Sequence, residues 1–171
     1  ERLGERSGAG DWAGAMTLVR PPRQLDVLSE WWAGGEMAVE ELRAILPGAW
    51  SASTITSEMR WWPLFRDAGY SGSPLPLEDP ITAFRGGHPG DPMGMAWSID
   101  REAAVREACR WPRAASSVVD GVMMLGGEIV IAQLPRGKVA AHVERAGVDE
   151  LIAHPRSVRI IGRESVQLPV R

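Results

Sequence analysis

Apolar residues in the first third of the chain recur at helical spacing. Leu25, Leu28, Trp31 and Trp32 define one amphipathic face, and Met37, Val39, Leu42, Ile45 and Leu46 define a second. Gly34–Gly35 separates the two, and Pro47–Gly48 is expected to end the second helix. A third helix is expected in "SEMRWWPLFRDAGY", starting near Ser57, interrupted at Pro63 and closed at Gly69. Residues 1–11 are polar and glycine-rich and read as a loose tail.

The period changes after "SGSPLPLEDP", which reads as a linker or an extended crossing segment. "ITAFRG", "MAWSI", "GEIVIAQLP", "ELIAH" and "SVRIIGRE" are short, β-rich and bounded by Gly, Pro or Asp. One helix interrupts them, "REAAVREACRW", with Asp100 as its N-cap and Ala104, Val105, Ala108 and Cys109 as its buried stripe. Helices followed by mostly strands predict an α+β fold, not a doubly wound parallel sheet. The expected organisation is a tail (1–11), a helical region packing on the core (12–72) and a strand-rich domain (73–171).

Composition narrows the function classes. The 171 residues are 44% hydrophobic and 24% charged, ordinary for a globular protein with a sizeable core. A net charge of −3 argues against tight nonspecific nucleic-acid binding, which depends on neutralising phosphates, and leaves room for a local basic patch. A lone cysteine cannot form an internal disulfide, no apolar run approaches the ~20 residues of a membrane span, and the start lacks signal-peptide character. A reducing, cytoplasmic location is the expectation. Eight tryptophans stand against two Phe and one Tyr. The pairs Trp31–Trp32 and Trp61–Trp62 share no flanking pattern beyond "SE", so no repeat is assigned. Trp31 and Trp32 read as helix-packing residues, since a base-stacking platform comes with a positive groove.

Most chemistry-bearing patterns fail on context. His88, His142 and His154 lack metal-ligand spacing, so no metal is expected. No GxSxG occurs, and Cys109 falls on an apolar helical stripe. "FRGGHPG" is neither GxGxxG nor at the start of a helix. What remains is a set of three residues on separate expected strands: Arg85, Ser98 and Glu150. An arginine fork suits a diphosphate or ribose, a serine hydroxyl orients a sugar or carboxylate, and a glutamate beside an anomeric carbon stabilises an oxocarbenium-like transition state. Each also fits an ordinary role. Arg85 can cap a strand or pair with Asp91, Ser98 can be a plain strand serine, and Glu150 beside Asp149 can be a solvated turn acid.

The segment "LFRDAGY…PLEDPITAFRGG…GMAWSIDREAAVREA…GEIVIAQLPRGKVAAHVERAGVDELIAHP" resembles the arginine–serine–glutamate class of NAD-dependent ADP-ribosyltransferases, in particular small bacterial and phage-type members. The similarity spans roughly residues 64–164. An aromatic-Arg-Gly pattern, a serine strand leading into a helix, and a later glutamate follow in the family's order. The resemblance implies two packed, roughly perpendicular small β-sheets with NAD in a cleft between them, and no metal. Arg85 would anchor the nicotinamide-side ribose and phosphates, and the Gly86 backbone, with Gly87 beside it, would hold the nicotinamide amide. Ser98 would position the ribose and Glu150. Trp97 belongs to the same wall of the NAD pocket, although its side chain, like that of Ile99, points to the opposite sheet face. Glu150 would bind the ribose 2′-hydroxyl and stabilise the cation as nicotinamide leaves.

The chain departs from the family pattern on the acceptor side. Arginine-modifying members carry Glu two residues before the catalytic Glu; here that position is Val148, with Asp149 intervening. A guanidinium acceptor therefore loses its activating acid. The expected activity is ADP-ribosyl transfer to a non-arginine site on an intracellular protein or nucleic acid. An NAD glycohydrolase using the same residues, or a non-catalytic binding module that keeps the fold, are the alternatives. "WSID" replaces Ser-Thr-Ser, and "WPRAASSVVDGVMMLGG" reads as a loop over the site or a target-recognition insert.

Overall fold

Asp11 starts the first helix, because its Oδ1 accepts the Gly14 N–H at 2.9 Å and satisfies one orphan donor of the first turn. The structure, a computed structural model, describes residues 10–53, 58–88, 93–110, 115–119, 122–145 and 147–169. Helix α1 is Trp12–Thr17 and α2 is Gln24–Ala33. Gly35, at φ 67°, turns the chain toward α3, Val39–Ala52, whose start is fixed by the Glu41 carboxylate accepting the Ala38 N–H at 2.7 Å.

Two proline expectations are corrected. Helix α3 does not end at Pro47–Gly48 but runs through Pro47 to Ala52. Proline inside a helix costs about 3 kcal/mol. The turn beyond it buries Ala49 and the whole of Trp50, which offsets that cost. Pro63 does not interrupt its helix either. It sits in the first turn of α4, Trp62–Ala68, where a missing N–H is harmless, after a 3₁₀ turn at Glu58–Trp61. Gly69 closes α4 at φ 69°; Ser57 lies outside the described residues.

The tryptophans explain how the helices hold together. Trp12 packs on Trp31 at 5.1 Å, and Trp50 meets Trp61 and Phe65 edge-on at 5.6 and 5.4 Å. The indole of Trp32 donates to Asp67 Oδ2 at 3.0 Å. These rings share one apolar cluster with Met95, Ala141, Val143 and Ile152, so the helical segment and the strands bury each other.

Among the described residues the strands are β1 (Ser71–Gly72), β2 (Ile81–Gly87), β3 (Ala96–Ser98), β4 (Ala115–Val119), β5 (Val122–Leu134), β6 (Val139–Arg145), β7 (Val148–Ala153) and β8 (Arg159–Pro169). With the helices they make the fold α+β. They form one eight-stranded sheet in the order β1-β6-β7-β3-β2-β5-β4, with β8 also on β5. β1 lies within the 12–72 segment expected to be helical, and pairs in parallel with β6. β2 and β3 share one register pair, Phe84↔Ser98, whereas β2 and β5 match from Ile81↔Leu134 to Gly87↔Glu128. The sheet is thus nearly divided into two four-stranded halves.

Alternation sends Ala141, Val143 and Ile152 under the N-terminal helices. The opposite face collects Ile81, Ala83, Trp97, Val130, Ala132, Leu134, Leu151 and Ala153 into a second core. Helix α5, Arg101–Ala108, is capped by Asp100, whose carboxylate accepts the Glu102 N–H at 2.8 Å. It buries Ala104, Val105, Ala108 and Cys109 against Ile129 and Phe84. Burial pushes the Cys109 thiol pKa up, so the side chain is a small buried packing group.

The segment expected as a loop over the site or a target-recognition insert, 111–127, contains β4 paired with the first part of β5, from Ala115↔Gly126 to Val119↔Val122. Its side chains Val118, Val119, Val122 and Met123 are exposed. Residues 111–114, 120 and 121 lie outside the described residues.

Candidate active site

Phe84 on β2, Ser98 on β3 and Glu150 on β7 lie in one row across three adjacent strands. Ser98 is in register with both, and residues directly opposite in a sheet project from the same face. The helices cover that face. Val143 on β6 is the next member of the row, opposite Glu150. Ser98 is buried and its Oγ accepts the Asp100 N–H at 3.0 Å, tying the serine to the start of α5. Glu150 is half-buried and its Oε2 accepts the Trp50 indole N–H at 3.0 Å. Two of the three expected residues are therefore brought together.

Arg85 is placed differently. It follows Phe84, so alternation starts its side chain from the other face, the one that carries Ala83 and Val130. Its guanidinium crosses the gap between β2 and β3 and donates to the Ala96 carbonyl at 2.8 Å. It also donates to both oxygens of Glu58, at 2.9 and 3.3 Å. Glu58 additionally accepts the N–H of Met95 and that of Ala96, the latter at 3.0 Å. Gly94 makes room for this arrangement, since a Cβ there would overlap the Glu58 carboxylate and the Arg85 guanidinium. Asp91, the partner weighed from sequence, lies outside the described residues.

Two expected pocket residues have other structural roles. Trp97, counted toward the NAD wall, is 1% exposed in the second core and faces away from Ser98 and Glu150. Its position as a central apolar residue leaves it no surface for a ligand. Gly86 lacks a Cβ because α5 sits against it: a Cβ would overlap the Ala104 carbonyl and lie 2.6 Å from Ala108 N. Gly127 is seated against the Ala108 carbonyl in the same way, and a Cβ there would also come within 2.9 Å of the Gly87 carbonyl oxygen. The glycines at 86 and 127 form the bed of a helix, and this accounts for them without a ligand. Gly86→Ala is therefore expected to destabilise the protein by roughly 1–3 kcal/mol through overpacking. Gly137→Ala, where nothing lies within 4 Å, should be near neutral. Thermal melts of the two variants check this, and equal melting temperatures would show that α5 does not press on β2.

On the acceptor side Val148 is half-buried and Asp149 exposed. Asp149 Oδ1 lies 3.5 Å from His142 Nε2, while His142 Nδ1 is 2.8 Å from the Pro74 carbonyl. The structure thus gives Asp149 a histidine partner on β6. His154 packs against Trp62 at 4.8 Å. Among the described residues no group of three or more His, Cys, Asp or Glu could hold a metal ion, and no helix is long and apolar enough to cross a membrane.

Sequence reasoning missed Glu58 and Trp50. Neither belongs to a motif; each meets its partner through the tertiary fold, 27 residues from Arg85 and 100 from Glu150. No protein-family model, curated protein or solved structure matches the chain.

Proposed function

We propose that this chain cleaves NAD at the nicotinamide–ribose bond and transfers ADP-ribose to an intracellular macromolecule, at a side chain or base other than arginine. The observation that carries the reading is the register of Ser98 against Glu150, with Arg85 beside the residue that faces Ser98 from the other side. The near-division of the sheet at Phe84↔Ser98 also supports it, since the resemblance implies two small sheets with a cleft between them.

In this reading the C–N glycosidic bond breaks with its electron pair leaving on the nicotinamide nitrogen. The ribose carbon becomes cationic, and the Glu150 carboxylate stabilises that charge and holds the ribose 2′-hydroxyl. Ser98, fixed by Asp100, orients the sugar and Glu150. Arg85 takes part in phosphate binding only if Glu58 shares or yields its guanidinium, because that acid neutralises it in this structure. The acceptor's nucleophile then attacks the ribose carbon and loses its proton.

Val148 favours water as a second acceptor, since the acid that would activate a macromolecular guanidinium is replaced by an apolar side chain. Nicotinamide release from NAD, with and without bacterial extract, separates the two. Release that rises with extract, together with labelled acceptor, is the expected result. Release without labelled acceptor would assign a glycohydrolase. No release, with NAD failing to raise the melting temperature, would overturn the proposal in favour of a binding module.

A further inference from the structure

We infer that Trp50, from the helical segment, is a positioning residue for Glu150, so that the site is assembled from both parts of the chain. This rests on the reading of Glu150 given above. The indole N–H of Trp50 meets Glu150 Oε2 at 3.0 Å, and Trp50 is fully buried. Its ring has little freedom to move. Trp61 and Phe65 meet it edge-on, at interplanar angles of 85° and 75°. The helix that carries it continues past Pro47 to bring it there.

An indole N–H is a donor that neither ionises nor accepts, so its partner must present an oxygen lone pair. Donation to a carboxylate stabilises the charged form, which is the form that the proposed transition state requires. It also selects one side-chain orientation of Glu150, aligning it with the row that contains Ser98. On its own face the flanking positions, Ser98 and Val143, do not titrate. Asp149, with His142, and Glu144 leave the other face, and Asp100 is paired with Arg106 at 3.4 Å. Ser51, next to Trp50, is bound to the Glu144 carbonyl at 2.6 Å and anchors this end of α3 on β6.

The test uses the full chain with Trp50→Phe, which keeps an aromatic ring and removes the N–H, and Trp12→Phe as a packing control in the same apolar cluster, on a ring that packs against Trp31. Loss of the donor removes a hydrogen bond that favours the charged carboxylate, so the acid limb of the kcat profile for nicotinamide release should move to higher pH in Trp50→Phe. kcat should fall roughly 10-fold with KM little changed. Trp12→Phe should shift neither. A Trp50→Phe profile that coincides with that of Trp12→Phe would overturn the inference while wild-type turnover left the NAD reading intact. A wild type that releases no nicotinamide would overturn both. A second measurement does not depend on how Trp50→Phe folds: the wild-type Trp50 indole ¹⁵N–¹H resonance should titrate with Glu150, and this titration should vanish in Glu150→Gln. An indole signal that is flat with pH in the wild type would also overturn the inference.

Discussion

Glu150→Gln is expected to lower nicotinamide release from NAD by ~100-fold or more, the scale of loss when one electrostatic group is removed from a transition state. The substitution keeps the side chain's length and one carbonyl oxygen, so the Trp50 N–H retains an acceptor and the fold should survive. What it removes is the charge. The proposed chemistry needs that charge beside a ribose carbon that turns cationic, and no adjacent side chain in the row can replace it. Ser98 is neutral and Val143 is apolar. The measurement is nicotinamide release by wild type and variant under identical conditions, with melting temperatures as the control for folding. A variant that melts like the wild type and turns over NAD at the same rate would remove Glu150 from the chemistry and with it the proposed mechanism. Ser98→Ala should cost less, because the serine orients groups and carries no charge.

How much of this site could be read from the sequence depends on the range of each interaction. Strands β2, β3 and β7 were legible because their apolar runs are short, β-branched or aromatic, and closed by Gly, Pro or Asp. The cap at Asp100 was legible because capping is local. β6 was missed: "VAAHVER" alternates weakly and has two alanines in a row after Val139, and its burial is supplied by α3 and β7. The pairing of β4 with β5 had a usable sequence signal, the dipeptide Asp120–Gly121 between two apolar runs. Pro47 misled because a local rule was applied where tertiary burial of Trp50 decides. Gly86 was assigned to ligand approach, whereas a neighbouring helix explains it. Sequence can mark a glycine that needs space, but only the fold shows what occupies that space. Glu58 and Trp50 left no local trace, since their importance comes from partners far along the chain.

The Glu58–Arg85 pair should prove a sensitive polar contact, since it joins four hydrogen bonds around the start of β3. Glu58→Ala is expected to destabilise it by about 3 kcal/mol, the lower end for breaking a buried ion pair, because both side chains keep about a fifth of their surface in water. The loss has two sources. The Arg85 guanidinium would keep its bond to the Ala96 carbonyl but lose its counter-charge, and the Met95 and Ala96 N–H groups would lose their acceptor at the start of β3. Since β3 joins β2 at a single register pair, that anchor carries an unusual share of the order at the strand that holds Ser98. Arg85→Ala should cost a comparable amount by leaving the Glu58 carboxylate without its cation. The double variant should cost less than the sum of the two singles by roughly 1 kcal/mol or more, because each single change already destroys the same pair. Denaturant unfolding of the wild type, both single variants and the double variant closes the cycle. Strict additivity would mean that the two residues act independently. Coupling would establish that Glu58, in the 3₁₀ turn before α4, and the arginine of the proposed NAD site stabilise the fold as one pair.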